Sequence, residues 1–424
     1  MIPPVTPPVI TPKIPTMSTR TLVSTINCPH CWAEFQPAQA RFISEHEALR
    51  GDPVLGDAEQ LRFLPSRFDS RGRALDPLGS VCTRMACVRC HLELPPALVE
   101  IPQSIISVVG APACGKSVML AASSFSLRSG LVVEGLDFLD ADTSLNDLTF
   151  ELESSLFRST TPERPTMIAK TDLSGRLYRS FRSEDGFWSA PKPQLFEMKR
   201  AEQRRMLCLY DNAGEHFLPG RENPQEPVTR HLGVSRALIF VVDPTQDHRV
   251  VERLGGRESV AALGGGGTAE QRQDLVLIEA ANRVRRLRAL STSDRLPFRI
   301  VLALAKADIW AAIASPELSE CFVRSSTSRT SIAMPDGAAL ATAHQSCCRF
   351  LLEVMPELLA TARALDPQFR AVPFSGLGMP PSRGAVGHGL EIRPQDVRPI
   401  WPAAPLVVAL SEAEPSMFGE FAAR

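Results

Sequence analysis

From Ile101 onward, short apolar runs alternate with longer stretches whose apolar residues recur every three to four positions. Residues 104–109, 206–210, 237–242, 300–305 and 371–374 read as strands buried on both faces, and residues 116–127, 269–290 and 337–364 as helices. This alternation predicts an α/β fold: a three-layer arrangement with a mainly parallel sheet covered on both faces by helices. Residues 194–198 are expected to add an antiparallel strand at the sheet edge. A C-terminal extension, residues 381–424, is Pro-rich, and its apolar segment 405–410 is expected to dock on the main domain as a strand. The Gly run 264–267 reads as a flexible lead into the helix at 269–290.

The pattern changes before Ile101. Residues 1–18 interleave Pro3, Pro4, Pro7, Pro8, Pro12 and Pro15 with Val, Ile and Thr, which predicts an extended, disordered tail. Residues 19–99 hold only short apolar stretches and two cysteine pairs, so they are expected to form a small module ahead of a main domain at 100–380.

A hydrophobic fraction of 44% supports a sizeable core, and a net charge of -1 gives no global basic field. Two basic runs, Lys199, Arg200, Arg204 and Arg205, then Arg283, Arg285, Arg286 and Arg288, contain no interleaved aromatic residue and read as solvated faces. Nothing in them points to nucleic acid. No apolar run reaches the roughly 18 residues that span a bilayer, and the start lacks a signal-peptide pattern. Ten cysteines, four of them in C-x-x-C pairs, favour thiolate chemistry in a reducing compartment. A cytoplasmic protein without membrane contact is therefore expected.

The candidate chemistry begins at Gly110-Ala111-Pro112-Ala113-Cys114-Gly115-Lys116-Ser117. This fits G-x-x-x-x-G-K-[ST] and stands between an apolar strand and a helix, where backbone N–H groups can cradle phosphate oxygens. Lys116 would reach the β and γ phosphates and the Ser117 hydroxyl would bind Mg²⁺. Cys114 reads as a packed loop residue. Further on, Asp211-Asn212-Ala213-Gly214-Glu215 places an acid at the end of an apolar strand, expected to be the next-but-one strand from the loop, where it would hold Mg²⁺ through water.

With its D-x-x-G at Asp211 and Gly214, the chain resembles the translation-factor and Ras-like P-loop GTPases. Residues 237–243 look like the fourth strand of that class, and Ala305-Lys306-Ala307-Asp308 is similar to its N/T-K-x-D motif. The resemblance implies that Asp308 accepts two hydrogen bonds from guanine and that the Lys306 stem covers the base. Ser375, in Phe374-Ser375-Gly376, resembles the fifth, base-supporting motif. Ala305 departs from the family's Asn or Thr, which weakens the preference for GTP over ATP. Glu215 replaces the usual water-orienting Gln, which implies slow hydrolysis. Thr171 is the first choice for the switch threonine, with Thr161 behind it.

The interval from Ser117 to Asp211 is about twice that of a small Ras-like domain. With the N-terminal cysteine pairs, it makes the chain most similar to bacterial double-GTPase families of conflict and signalling systems. That resemblance implies a protein partner, either a second GTPase or an activator. A non-hydrolysing nucleotide-bound scaffold and a P-loop ATPase stay open beside the GTPase switch.

Cys28-Pro29-His30-Cys31 and Cys87-Val88-Arg89-Cys90 are two knuckles that can close one Cys₄ tetrahedron around a structural Zn²⁺. His30, Cys82 and His91 are spare donors.

Overall fold

The computed structural model describes residues 22–130, 133–167, 178–183, 186–218, 228–262, 272–325, 334–383 and 390–421. The proline tail, the Gly run at 264–267 and Thr171 lie outside them. At the centre is a seven-stranded sheet made of β1 (Gln103–Gly110), β2 (Leu136–Asp140), β3 (Pro193–Arg200), β4 (Gln203–Asp211), β5 (Ala237–Val242), β6 (Arg299–Leu304) and β7 (Arg370–Pro373). Their order is β2-β3-β4-β1-β5-β6-β7. The last five run parallel, and β3 is antiparallel to both β2 and β4.

Three expectations about strands need correction. The antiparallel strand at 194–198 exists but is not the edge, because β2 pairs outside it. In β2, Leu136 and Phe138 alternate with exposed positions, and the Phe138 ring stacks on Phe196 at 4.7 Å. A five-residue strand with two acids in it is too short for its period to stand out. The Asp211 strand is the immediate neighbour of β1, with Asp211 level with Val108. Segment 405–410 is not a strand at all but part of helix Ala404–Ala413. It is buried on every side from Ala404 to Ser411, and an apolar run without a polar face cannot be told from a buried strand by periodicity.

The helices that matter for the site are α1 (Lys116–Arg128), α2 (Asp147–Phe157), α3 (Gln273–Leu287), α4 (Ala307–Ala314), α5 (Gly337–Val354), α6 (Pro356–Leu365) and α7 (Ala404–Ala413). The single helix expected at 337–364 is two. Pro356 has no N–H to continue α5, and it opens α6 in the first turn, where none is needed. At the other end of α5 the Asp336 carboxylate caps the helix by accepting from the Ala339 N–H at 2.7 Å. The long interval between Ser117 and Asp211 is filled by β2, α2, β3 and a hairpin of Tyr178–Ser183 with Gly186–Pro191.

Strand β4 shows how the N-terminal residues attach. Leu207 and Leu209 belong to the main core, while Met206, Cys208 and Tyr210 share a second core with Cys28, Trp32, Leu94 and Leu98. Successive side chains of a strand point to opposite faces, so one face of β4 packs on helices and the other on the module. The module itself contains only short strands, among them a four-stranded sheet of Glu93–Leu94, Met85–Ala86, Arg41–Ile43 and Arg62–Phe63.

The basic runs are only partly solvated faces. Arg283 is buried, pairs with Glu279 at 2.8 Å and lies 5.1 Å from the centre of the Phe217 ring. Arg288 donates to the Ser235 carbonyl at 2.6 Å. Arg205 and Arg236 both reach the buried Glu414 carboxylate just beyond α7, at 2.7 and 3.0 Å. Their charge is spent on fixing elements to one another.

Candidate functional site

Parallel strands bring their C-terminal ends to one edge of the sheet, the edge at which ligands bind in open α/β folds. Here that edge carries Asp211 from β4, Gly110 from β1, Asp243 after β5, residues 305–308 after β6 and Ser375 after β7.

Loop 110–117 turns from β1 into α1 in a shape that its residue types require. A Cβ on Gly110 would lie 2.4 Å from the Val241 oxygen and 2.9 Å from the Cys114 sulfur. Gly115 has φ of +96°, in the region that favours glycine. Cys114 is buried, and that burial pushes its thiol up, so it is a packed residue as expected. The Lys116 ammonium donates to the Gly110 and Ala111 carbonyls at 3.1 and 3.0 Å. From the far side, Gln246 Nε2 donates to the Pro112 carbonyl at 3.0 Å.

Ser117 and Asp211 meet. The Ser117 hydroxyl donates to Asp211 Oδ2 at 2.6 Å, and burial pushes the Asp211 carboxyl up while Lys116 and that hydrogen bond pull it down. Asp211 Oδ1 is buried with no hydrogen-bond partner among the described residues. A hydroxyl, a carboxylate and an unsatisfied carboxylate oxygen form the donor set of a hard divalent cation, so the residues fit Mg²⁺. Gly214 closes over the same loop and begins the short turn Gly214–Phe217, of which Glu215 is the second residue. The Ala213 N–H is held by the hydroxyl of Tyr178 at 2.8 Å.

At the other end of the edge, Lys306 adopts φ of +56° and pairs with the buried Asp243 carboxylate at 2.6 Å. Asp308 stands in the first turn of α4, where burial pushes its carboxyl up and the nearby Ser375 side chain pulls it down. Ala305 is buried, and its carbonyl accepts from the Trp310 indole at 2.7 Å. Thus Lys116, Ser117, Asp211 and Gly214 form one cluster and Lys306, Asp308 and Ser375 another on the same edge. Thr161 lies in an exposed turn, its carbonyl accepting from the Arg164 N–H at 3.0 Å.

The four cysteines form a second centre. All four sulfurs lie within 4.8 Å of one another and are buried, with Cys28–Cys90 at 3.7 Å and Cys31–Cys87 at 3.6 Å. A tetrahedron with zinc–sulfur bonds of about 2.3 Å has edges of about 3.8 Å, so the cluster fits Zn²⁺ and not a pair of disulfides. The two knuckles repeat each other. In each, the first sulfur accepts a backbone N–H two residues on, from His30 at 3.4 Å and from Arg89 at 3.3 Å. The residue after each second cysteine, Trp32 or His91, has positive φ. The spare donors are used elsewhere: His30 on the Glu93 carbonyl, Cys82 on the Ser80 carbonyl and His91 on the Asp52 carboxylate.

Several residues of these centres carry no motif. Asp243 was visible only as the end of an apolar strand. Gln246, Tyr178 and His231 gave no sequence signal, since each is defined by partners that only the fold brings near.

No protein-family model and no curated protein matches the chain. Among solved structures it is similar to Era of Aquifex aeolicus bound to GDP and AlF4⁻, at 11% identity and a TM-score of 0.26 over 66% of this chain and 53% of that one. The GTPase-like domain of Ski7 from S. cerevisiae, bound to GTP, is 12% identical with a TM-score of 0.26 over 65% of this chain and 43% of that one. The SRb-GTP/SRX complex of Chaetomium thermophilum gives 13% identity and a TM-score of 0.26 over 66% of this chain and 94% of that one. The chain thus spans about half the length of the first and less than half of the second. No helix of the described residues is long and apolar enough to cross a membrane.

Proposed function

We propose that the chain binds GTP with Mg²⁺ along this sheet edge and acts as a slowly hydrolysing molecular switch. The observation that carries the reading is the meeting of Ser117, Asp211 and Gly214 around the Lys116 loop, with Lys306, Asp308 and Ser375 two strands away on the same edge. The first cluster suits a triphosphate and the second a base.

Lys116 would exchange its two carbonyl acceptors for phosphate oxygens, a stronger, charge-assisted pairing. Ser117 and Asp211 would hold Mg²⁺, which supplies charge neutralisation at the phosphates. Asp308, with Ser375 nearby, would accept from guanine, while Asp243 would fix the Lys306 stem against the base. Glu215 can accept a hydrogen bond from the attacking water but cannot donate one to the γ phosphate unless protonated, which favours a slow rate.

In this reading residues 19–99 form a zinc module, 100–380 the GTPase domain and 381–424 an extension held to it through α7. The protein works in the cytoplasm of a bacterial signalling or conflict system beside a partner GTPase or activator. Ala305 favours one rival, an ATPase, because its methyl group offers no polar contact to a guanine. Denaturing the purified protein and identifying the released nucleotide tests both. Guanine nucleotide is expected; adenine nucleotide would select the rival, and failure to bind either one on addition would end the reading.

A further inference from the structure

The N-terminal module and loop 211–214 are joined by side chains as well as by the chain. Strand β4 runs directly into the loop, and its last aromatic residue, Tyr210, is fully buried. The Tyr210 hydroxyl donates to the Pro29 carbonyl at 2.7 Å, inside the first cysteine knuckle. Its ring stacks on His231, with centroids 4.9 Å apart and planes 14° off parallel. Trp32, next to Cys31, packs against both rings, at 5.8 Å from Tyr210 and 6.0 Å from His231.

His231 ties this stack to loop 211–214 and to strand β1. Its Nε2 lies 2.8 Å from Asn212 Nδ2, and its Nδ1 lies 2.5 Å from the Ser107 hydroxyl on β1. Burial lowers the imidazole to about 3, so it is neutral at physiological pH and has one donor and one acceptor nitrogen. Asn212 Nδ2 also donates to the Val228 carbonyl at 2.9 Å, which identifies it as the amide nitrogen. Nε2 must then accept, and Nδ1–H donates to Ser107. The Ser107 hydroxyl donates to the Ser235 hydroxyl, and Ser235 donates to the His231 carbonyl at 2.9 Å. Asn212 donates its two amide hydrogens to Val228 and His231 and each later group donates once, so the network has a single direction.

We propose that this network couples metal binding at the cysteine cluster to nucleotide binding at the loop, each tightening the other; it rests on the nucleotide reading above. Asn212 sits between Asp211 and Gly214, the two loop residues packed on Ser117 and on the backbone of Ala111 and Pro112. A shift of Asn212 must either break its contact with His231 or drag the Tyr210 stack, and with it Pro29 between Cys28 and Cys31. A metal that fixes the knuckle therefore favours the ordered loop. Such coupling is reciprocal: the factor by which metal changes nucleotide affinity is the factor by which nucleotide changes metal affinity.

The test uses the full chain and measures apparent Zn²⁺ affinity by competition with a zinc-selective chelator, with and without a non-hydrolysable GTP analogue in excess Mg²⁺. Calorimetry on the same protein verifies that the analogue binds. The expected result is Zn²⁺ held at least about fivefold tighter with nucleotide, a typical lower limit for coupled sites. Tyr210→Phe, which removes only the hydroxyl on Pro29, should bring that factor towards one while leaving both ligands able to bind. Equal Zn²⁺ affinity with nucleotide demonstrably bound would overturn the coupling alone, and full coupling retained in Tyr210→Phe would overturn the path. A chain that binds no nucleotide would overturn the coupling together with the nucleotide reading.

Discussion

Gly214 lies so close to Pro112 that a Cβ on it would stand 2.4 Å from the Pro112 nitrogen, with the Ala111 carbonyl carbon at 2.5 Å. Both neighbours are backbone and cannot swing aside. Gly214→Ala should therefore lift loop 211–214 off loop 110–117, at a strain of about 1–3 kcal/mol. We expect GTP affinity to fall at least about tenfold, measured by calorimetry on protein whose circular dichroism is unchanged. Wild-type affinity would mean that this contact plays no part in binding.

Lys116→Ala should abolish triphosphate binding, a loss of at least about a hundredfold or 2.7 kcal/mol. Lys116 is the ammonium nearest the loop carbonyls, and the substitution removes it without touching the loop glycines. Undiminished affinity in a folded variant would remove the phosphate-loop reading.

Base choice and hydrolysis are tested by two conservative changes. Asp308→Asn should shift preference away from GTP and leave ATP affinity nearly unchanged, because an amide presents a donor where guanine offers donors. Glu215→Gln should raise the single-turnover rate, while Glu215→Ala should lower it with binding intact. A rate indifferent to both changes would exclude Glu215 from the chemistry.

Elemental analysis of freshly purified protein should find about one Zn²⁺ per chain, and Cys28→Ser or Cys90→Ser should expose the N-terminal module to proteolysis. Metal-free protein with an equally resistant module would refute the site.

Acid stability follows from His231. Its folded-state value of about 3 lies below the unfolded value near 6.5, so between these pH values the unfolded chain binds a proton that the folded chain refuses. Stability from this group is complete above about pH 6.5 and falls as pH drops, by about 2 kcal/mol at pH 5. Urea midpoints at pH 7 and pH 5 measure it. His231→Gln, which cannot titrate, should lose less between the two than the wild type does; equal losses would assign the acid sensitivity to other groups.

How far the sequence could be read differs by element. The five parallel strands were legible because both of their faces are buried, which leaves an uninterrupted apolar run. The turn of loop 110–117 from a strand into a helix and the gathering of the four cysteines were legible because both patterns are fixed residue types at fixed short spacing. Strand β2 was missed because its period is too short, and the segment of α7 was read as a strand because it has no polar face to reveal a helical period. Tyr178, Gln246 and His231 were beyond reach, because each is defined by a partner that only the fold brings near. Arg283 and Arg288 were misread because a charge run resembles a wet surface until its ring and carbonyl partners are known.

Strand β4, with Met206, Cys208 and Tyr210 turned towards the cysteine module, also governs how the protein can be handled. A chain cut just before β1 would keep the whole seven-stranded sheet, yet present water with an oily strip along β1, β3 and β4 where Ile105, Leu195 and these three side chains are now covered. Such a fragment should clump on purification, because the cover over this strip is supplied by residues 22–101.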